Sequence, residues 1–143
     1  MLVCLLLQSF YTKSQVKAIT VIGNLVGVPD QLKLSELKTI MKGGLQRWKK
    51  SGKKVTMFVM KTSTYAGNTT ARVIYNLSAD DMLTLFVSNI NQGIEHPKIC
   101  KTKEEVINFV AENPGAIGIV DQPVNSTEVK IITIDGKMQF EYQ

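Results

Sequence analysis

The sequence predicts an α/β domain in which four to five mainly parallel strands are flanked by helices in three layers. Runs rich in β-branched residues alternate along the chain with segments that have apolar residues at helical spacing. The run over residues 54–60 is apolar on both faces, which indicates a strand in the middle of a sheet. The chain has no internal repeat and no linker, and its 143 residues are enough for one domain with a hydrophobic core.

The first half of the chain is predicted to form a strand, a helix and a second strand. Residues 18–24 are rich in β-branched side chains and form the first strand. Ser35 is expected to cap a helix over residues 36–42, which two glycines then end. A basic loop over residues 47–54 leads into the second strand.

The second half contains three predicted helices and two further strands. Residues 69–77 have apolar side chains at helical spacing, and Ser78 is expected to cap the next helix. Thr102 is expected to cap the last helix, and the strands cover residues 116–120 and 129–134. The helix after Ser78 is expected to bury four apolar side chains on one face, namely Met82, Leu85, Phe86 and Ile90.

Residues 1–18 are interpreted as a signal peptide, which leaves a single domain over residues 19–143. Residues 2–7 are all apolar, and Val16 and Ala18 suit the −3 and −1 positions of a cleavage site. No basic residue precedes the apolar run, so a buried first strand or helix remains as the alternative reading. The run is too short to span a membrane, and no later segment reaches ~20 apolar residues. We therefore expect a periplasmic or secreted protein without stable membrane insertion.

The charge of the chain does not favour nucleic acid as a partner. The formal net charge is +5, of which Lys13 and Lys17 in the predicted leader account for two, so +3 remains on the domain. This charge is small and scattered. Residues 47–54 form the only dense basic stretch, and its glycine and polar neighbours favour a solvated loop over a stripe that binds phosphates.

The reactive side chains do not indicate an enzyme. Once the leader with Cys4 is removed, Cys100 is the single cysteine and His96 the single histidine. These two residues cannot form a disulfide within the chain or a metal site, and no nucleophile lies near a base in the sequence. We expect no catalytic residue, no metal and no cofactor, and we expect Cys100 to be a reduced thiol.

The segment between the second strand and the following helix is the candidate ligand site. Residues 61–72 contain five serine and threonine side chains and no carboxylate. In open α/β sheets, ligands bind beyond the carboxyl ends of strands, where helix N-termini offer unpaired amides to anions. The same hydroxyl groups can also cap a helix without any ligand, and both readings remain open. The candidate ligand-binding residues are Lys61, Ser63, Thr64, Asn68 and Thr69.

The segments "LKLSELKTIMKGGLQRW", "KKVTMFVMK" and "TKEEVINFVAENPGAIGIVD" are similar to the phosphate ABC-transporter substrate-binding protein family. The similarity covers roughly residues 18–134 and is most specific at residues 34–37, Trp48 and residues 113–121. The resemblance implies the type II periplasmic binding protein fold. Members of the family have two lobes, and this chain resembles a short member with a single lobe.

The resemblance also implies a phosphate loop after the second strand. In the family this loop reads approximately arginine-x-x-glycine-serine-glycine-threonine and holds phosphate with hydroxyl and amide groups. Here Lys61 takes the place of the arginine, and residues 64–67 take the places of the last four, so only a cation and one hydroxyl group remain. The sequence thus predicts an exported, non-catalytic solute-binding protein for phosphate, sulfate or another small oxyanion. A homodimer is one way for such a protein to complete its site. The alternative is an envelope interaction or adaptor protein that has kept the lobe and lost ligand binding.

Overall fold

The computed structural model describes residues 18–141, and these form a six-stranded mixed sheet flanked by helices. The strands lie in the order β2-β6-β1-β5-β3-β4. They are β1 (Ile19–Asn24), β2 (Gln31–Leu32), β3 (Thr56–Met60), β4 (Lys98–Cys100), β5 (Ala116–Asp121) and β6 (Val129–Ile134). The helices are α1 (Leu34–Met41), α2 (Tyr65–Thr69), a π-helical segment (Thr70–Tyr75) that continues α2, α3 (Ala79–Gln92) and α4 (Lys103–Glu112).

The pairing of the strands defines the two edges of the sheet at which loops gather. β3 is parallel to β4 and β5, β2 is parallel to β6, and β1 runs antiparallel to both β5 and β6. Ile19 at the start of β1 therefore lies opposite Asp121 at the end of β5. We call the side of the sheet on which the carboxyl ends of β3, β4 and β5 lie the carboxyl edge, and the opposite side, at the other ends of these strands, the amino edge. The predicted α/β fold class is confirmed.

The number of strands differs from the prediction, because the sheet has six strands where four to five were expected. The additional strands are β2 and β4, which have two and three residues. Neither segment was predicted to be a strand, since segments this short show no alternation of apolar and polar residues. Beyond β6, Phe140 pairs with Ile19 in an isolated bridge.

The helix caps agree with the sequence at two of three positions. The hydroxyl oxygen of Ser78 accepts a hydrogen bond from the amide of Asp81 at 3.1 Å, and Thr102 does the same for Glu105 at 3.1 Å. The prediction for α1 was wrong, because this helix begins at Leu34 and Lys33 is its N-cap residue. The Glu36 carboxylate accepts a hydrogen bond from the Lys33 amide at 3.0 Å and so fixes the start two residues earlier.

The buried face of α3 also differs from the prediction. Met82, Phe86 and Asn89 are buried, whereas the side chain of Ile90 is 61% exposed. The buried residues follow the spacing of four and three residues that brings side chains onto one helix face. Ile90 therefore faces outward, and the polar residue Asn89 takes the buried position.

Gly118 allows α4 to pack directly against the middle of β5. A Cβ atom at this position would lie 2.7 Å from Cγ1 of Val106 and 3.0 Å from Cγ2 of Val110. Both valines are fully buried, so a side chain at position 118 would push the helix away from the sheet. The nearest backbone atom of the sheet, the Phe58 carbonyl oxygen, would lie 3.3 Å from such a Cβ atom.

The predicted signal peptide lies outside the described residues, apart from Ala18. Ala18 is buried, and its carbonyl oxygen accepts a hydrogen bond from the amide of Gln122 at 3.1 Å. In the part of the chain that the structure describes, no helix has the length and apolar composition needed to cross a membrane.

Candidate functional site

The first turn of α2 lies at the carboxyl edge, directly after the central strand β3. Thr64 is the N-cap residue, and its hydroxyl oxygen accepts a hydrogen bond from the Gly67 amide at 3.0 Å. The Thr64 carbonyl oxygen accepts a hydrogen bond from the Asn68 amide, also at 3.0 Å. The helix therefore begins at Tyr65, directly after its cap.

Gly67 holds this first turn tightly against the end of β3. A Cβ atom at position 67 would lie 2.0 Å from the carbonyl oxygen of Lys61 and 2.6 Å from that of Met60. No side chain fits at such distances, so the glycine permits the close approach of helix and loop. The amides of the first turn are consequently held in fixed positions beside Lys61.

A carboxylate from a neighbouring strand reaches the same turn. Asp121 is the last residue of β5, and its Oδ1 atom accepts a hydrogen bond from the Ala66 amide at 2.8 Å. A helix N-terminus attracts negative charge through its amides and its dipole. Asp121 therefore occupies a position that suits an anionic oxygen. The loop itself has no carboxylate, but the sheet supplies one.

Four of the five predicted ligand-binding residues lie at least partly on the surface around this turn. Lys61, Ser63 and Asn68 are exposed, and Thr64 is half-buried because its hydroxyl group caps the helix. Thr69 is 1% exposed. Its Oγ1 atom is the one buried side-chain nitrogen or oxygen between residues 18 and 141 for which the structure shows no hydrogen-bond partner. The structure thus groups four of these side chains at the surface and places the fifth inside.

The helix that begins at this site changes from α-helical to π-helical after one turn. Thr70 begins the π-helical segment, and its hydroxyl group donates a hydrogen bond to the Ala66 carbonyl oxygen at 2.7 Å. Asn76 ends the segment in the left-handed conformation, with φ of 53°. The sequence indicated a helix here but gave no signal for its π-helical geometry. Such segments are frequent near functional sites.

The register of the sheet adds a second lysine to this edge. Met60 pairs with Cys100, and the Lys61 amide donates a hydrogen bond to the Cys100 carbonyl oxygen at 2.9 Å. Lys101 therefore follows β4 where Lys61 follows β3, and both residues are exposed. Sequence reasoning missed Asp121 and Lys101, since only the pairing of β3 with strands far away in the chain brings them to this edge.

The structure places Cys100 in the interior of the domain and His96 against an aromatic ring. Cys100 is a buried free thiol, and burial raises its pKa to about 11, so it carries no charge at neutral pH. His96 lies edge-to-face on the ring of Phe86, with 5.7 Å between the ring centres. Between residues 18 and 141, no three His, Cys, Asp or Glu residues are grouped in a way that would hold a metal ion.

Comparison with known proteins gives structural matches only. No protein-family model and no curated protein sequence matches the chain. An ABC-type phosphate transport receptor from Vibrio cholerae superposes with a TM-score of 0.65 at 14% sequence identity, over 87% of this chain and 49% of the receptor.

Two further solved structures give similar values. A protein from Clostridium perfringens, described as a phosphate ABC transporter substrate-binding protein and solved with bound phosphate, matches with a TM-score of 0.65 at 16% identity. The match covers 85% of this chain and 47% of that protein. PstS from Borrelia burgdorferi matches with a TM-score of 0.58 at 15% identity, over 85% of this chain and 49% of PstS. The chain therefore has a periplasmic-binding-protein-like fold and spans about half the length of these structures.

Proposed function

We propose that this chain is a non-catalytic solute-binding protein that binds a small oxyanion, phosphate or sulfate, at the first turn of α2. One observation carries the proposal. The Ala66 amide donates a hydrogen bond of 2.8 Å to a carboxylate oxygen of Asp121, and this contact supports binding of an anionic oxygen at the turn. The fold shared with phosphate-binding proteins supports the same reading.

The exposed side chains around the turn would supply most contacts to the ligand. Lys61 would contribute charge, and Ser63 and Asn68 would contribute hydrogen bonds. Thr64 would hold the turn in place, because its hydroxyl group already donates a hydrogen bond to the Lys61 carbonyl oxygen at 2.7 Å and accepts one from the Gly67 amide. Thr69 enters the proposal only as a buried hydroxyl group behind the first turn, because its oxygen does not reach the surface.

We expect the affinity to be low for two reasons. One lobe covers only one side of a ligand, whereas tight sites bury most of the ligand surface. The Asp121 carboxylate also competes for the Ala66 amide and repels a second anion. A dissociation constant of about 1 mM is a reasonable expectation, equivalent to a binding free energy of about −4 kcal/mol. If a second copy of the chain closed over the site, the dimer would bind the ligand more tightly than one copy does.

Calorimetry and thermal unfolding with phosphate and sulfate test the proposal. With a dissociation constant of about 1 mM, ~10 mM phosphate should stabilise the fold by about 1.4 kcal/mol and raise the Tm by about 5 °C. The variant Asp121→Asn should bind about fivefold more tightly, because removing the negative charge is expected to give ~1 kcal/mol.

A matched pair of lysine variants controls for net charge. Lys61→Gln should weaken phosphate binding, while Lys42→Gln, which removes an exposed lysine at the end of α1, should leave it unchanged. The absence of both heat and thermal shift at ~10 mM ligand, in the natural chain and in Asp121→Asn alike, would refute the proposal.

Export of the chain is part of the same proposal. We expect cleavage near Ile19 and a periplasmic or secreted mature protein. Ile19 is fully buried, and its amide donates a hydrogen bond to the Phe140 carbonyl oxygen at 3.0 Å, so cleavage should leave this residue in the mature chain. Ala18 is also buried, and cleavage after it would remove the hydrogen bond that its carbonyl oxygen accepts from the Gln122 amide. Intact-mass analysis of protein from the envelope fraction tests the proposal, and retention of residues 1–18 would contradict it.

The outer face of α3 favours a second candidate function, that of an envelope interaction or adaptor protein. Leu83, Val87 and Ile90 follow each other on α3 at spacings of four and three residues, and the last two are 58% and 61% exposed. Ile94, two residues after the end of the helix, is 41% exposed. The chain has no charged residue between Met82 and Ile94. An uncharged apolar stripe on an exposed helix is typical of a surface that contacts another protein.

Substitution on this face tests the second candidate. Cross-linking in the envelope fraction should capture one stoichiometric partner with the natural chain and lose it in Val87→Glu/Ile90→Glu. The control variant, Thr84→Glu/Asn91→Glu, places the same charges on exposed polar positions beside the stripe. It should retain more of the partner than Val87→Glu/Ile90→Glu does. Equal capture by all three proteins would contradict the adaptor function.

A further inference from the structure

The basic stretch over residues 47–54 forms a hairpin at the amino edge, far from the candidate oxyanion site. Arg47 and Lys54 pair as an antiparallel bridge, and the Trp48 amide donates a hydrogen bond to the Lys53 carbonyl oxygen at 2.9 Å. Gly52 closes the turn with a φ of +72°. We call residues 47–54 the basic hairpin. It carries five lysine and arginine residues and no acid.

The basic hairpin is fixed to the core. Trp48 is 4% exposed, and its indole nitrogen donates a hydrogen bond to the Gly115 carbonyl oxygen at 2.7 Å. Arg47 donates a hydrogen bond across the turn to the Gly52 carbonyl oxygen at 3.1 Å. Lys49, Lys50 and Lys53 are exposed, so their charges lie at the surface of a hairpin that a buried side chain fixes to the core.

An exposed apolar pair lies beside the basic hairpin. Leu25 and Val26 follow the end of β1 and are 58% and 54% exposed. The Val26 amide donates a hydrogen bond to the Asn24 side chain at 2.8 Å, and its carbonyl oxygen accepts one from the Gly115 amide at 3.0 Å. Because both backbone groups of Val26 have partners within the protein, this residue can enter an apolar environment at little desolvation cost.

Direct contacts join the hairpin and the apolar pair into one surface. The Ser51 hydroxyl group donates a hydrogen bond to the Gly27 carbonyl oxygen at 2.8 Å. A Cβ atom on Gly27 would lie 2.7 Å from Cγ of Lys53, so the lysine stem packs over the residue that follows Val26. Apolar and cationic side chains are therefore neighbours here.

The charge balance of this surface is strongly positive. Lys54 lies 3.7 Å from the Glu95 carboxylate, while no described carboxylate forms an ion pair with Arg47, Lys49, Lys50 or Lys53. Asp30, near the hairpin, pairs with Lys130 at 2.8 Å. Glu112, at the end of α4, is a further acid that we place at this edge, because Asn24 donates to the carbonyl oxygens just before it.

We propose that this surface binds peripherally to an anionic membrane, with Leu25 and Val26 in the interfacial region and the lysines of the basic hairpin on the lipid headgroups. Two protruding apolar residues beside four cations without ion-pair partners combine the two forces that hold a peripheral protein at a charged bilayer. The same surface offers no exposed aromatic ring for stacking on a base, since Trp48 is buried, and this disfavours single-stranded nucleic acid.

Sedimentation with lipid vesicles tests the proposal on the full chain. The probe is phosphatidylcholine vesicles with about one third phosphatidylglycerol, compared with pure phosphatidylcholine. Binding to the anionic vesicles should be stronger and should fall with added salt. Lys49→Gln/Lys50→Gln should weaken it about 30-fold, since each lysine near a charged bilayer contributes about fivefold. Leu25→Ser/Val26→Ser should weaken binding to the same vesicles at least about threefold.

The control Lys33→Gln/Lys137→Gln removes two exposed lysines at the carboxyl edge and should change binding less than about threefold. All variants keep residues 1–17, so any contribution of that segment is the same throughout. The proposal is overturned if both lysine pairs weaken binding equally, if the apolar substitutions have no effect, or if neutral vesicles bind equally well. It also fails if a single-stranded oligonucleotide, and no vesicle, binds through Lys49 and Lys50.

Discussion

At the scale of single residues, most polar side chains around the first turn of α2 have hydrogen-bond partners, and one buried hydroxyl group has none. Thr64, Thr70 and Asp121 each form a hydrogen bond with the backbone of the first turn of α2. Thr69 lies in the same turn with a buried hydroxyl group that has no partner. A buried polar group without a hydrogen bond reduces stability. We infer that the turn retains Thr69 at some cost to the fold.

The first prediction concerns this unpartnered hydroxyl group. Thr69→Val should raise the free energy of unfolding by about 1 kcal/mol, because it removes an unsatisfied group at nearly constant volume. The matched variant Thr70→Val removes a hydrogen bond of 2.7 Å and should lower it by about 1 kcal/mol. Urea unfolding measures both changes. Equal effects of the two substitutions would show that the Thr69 hydroxyl group has a partner in solution.

The second prediction concerns pH and Cys100. Burial raises the pKa of this thiol from 9.0 to about 11 in the folded chain. Between about pH 9 and 10 the unfolded chain loses the thiol proton while the folded chain keeps it, so stability should fall as pH rises. Urea unfolding across this range should show the fall, and Cys100→Ala should show a shallower one. A fall of equal slope in the variant would contradict the assignment to Cys100.

At the scale of elements, the long amphipathic helices and the β-branched strands could be predicted from the sequence. The short strands and the exact buried face of a helix could not, because both depend on contacts with distant parts of the chain. α3 and α4 begin where Ser78 and Thr102 indicated, because an N-cap side chain acts within three residues. The strands β2 and β4 are too short for a periodic signal and form only because β6 and β3 offer partners. In α3, tertiary packing selected Asn89 over Ile90 for the buried face.

The basic hairpin gives the third prediction, at the same scale. Trp48→Phe removes a buried hydrogen bond of 2.7 Å and leaves a gap, so the free energy of unfolding should fall by about 1–3 kcal/mol. Ser51→Ala removes two exposed hydrogen bonds, one to the Gly27 carbonyl oxygen and one from the Lys53 amide, and should cost less than about 1 kcal/mol. Circular dichroism during urea unfolding measures both, since the first variant lacks the single tryptophan. A smaller loss for Trp48→Phe than for Ser51→Ala would show that the indole is not the anchor.

At the scale of the whole molecule, the fold class and the position of the candidate site could be predicted from the sequence. A buried strand followed by a capped helix places Thr64 at the carboxyl edge of an α/β sheet, whatever the order of the other strands. The occupant of the Ala66 amide could not be predicted, because Asp121 is 55 residues away in the chain. Only the parallel pairing of β3 with β5 brings the two together.

The central claim is that an oxyanion binds at the first turn of α2. An NMR titration of the amide resonances with phosphate tests it most directly, because each residue reports separately. The amides of Ala66, Gly67 and Asn68 should shift with one saturating curve, with a midpoint of about 1 mM, and the shifts should saturate at lower phosphate in Asp121→Asn. Shifts confined to the basic hairpin around Lys49, with these three amides unchanged, would contradict the claim.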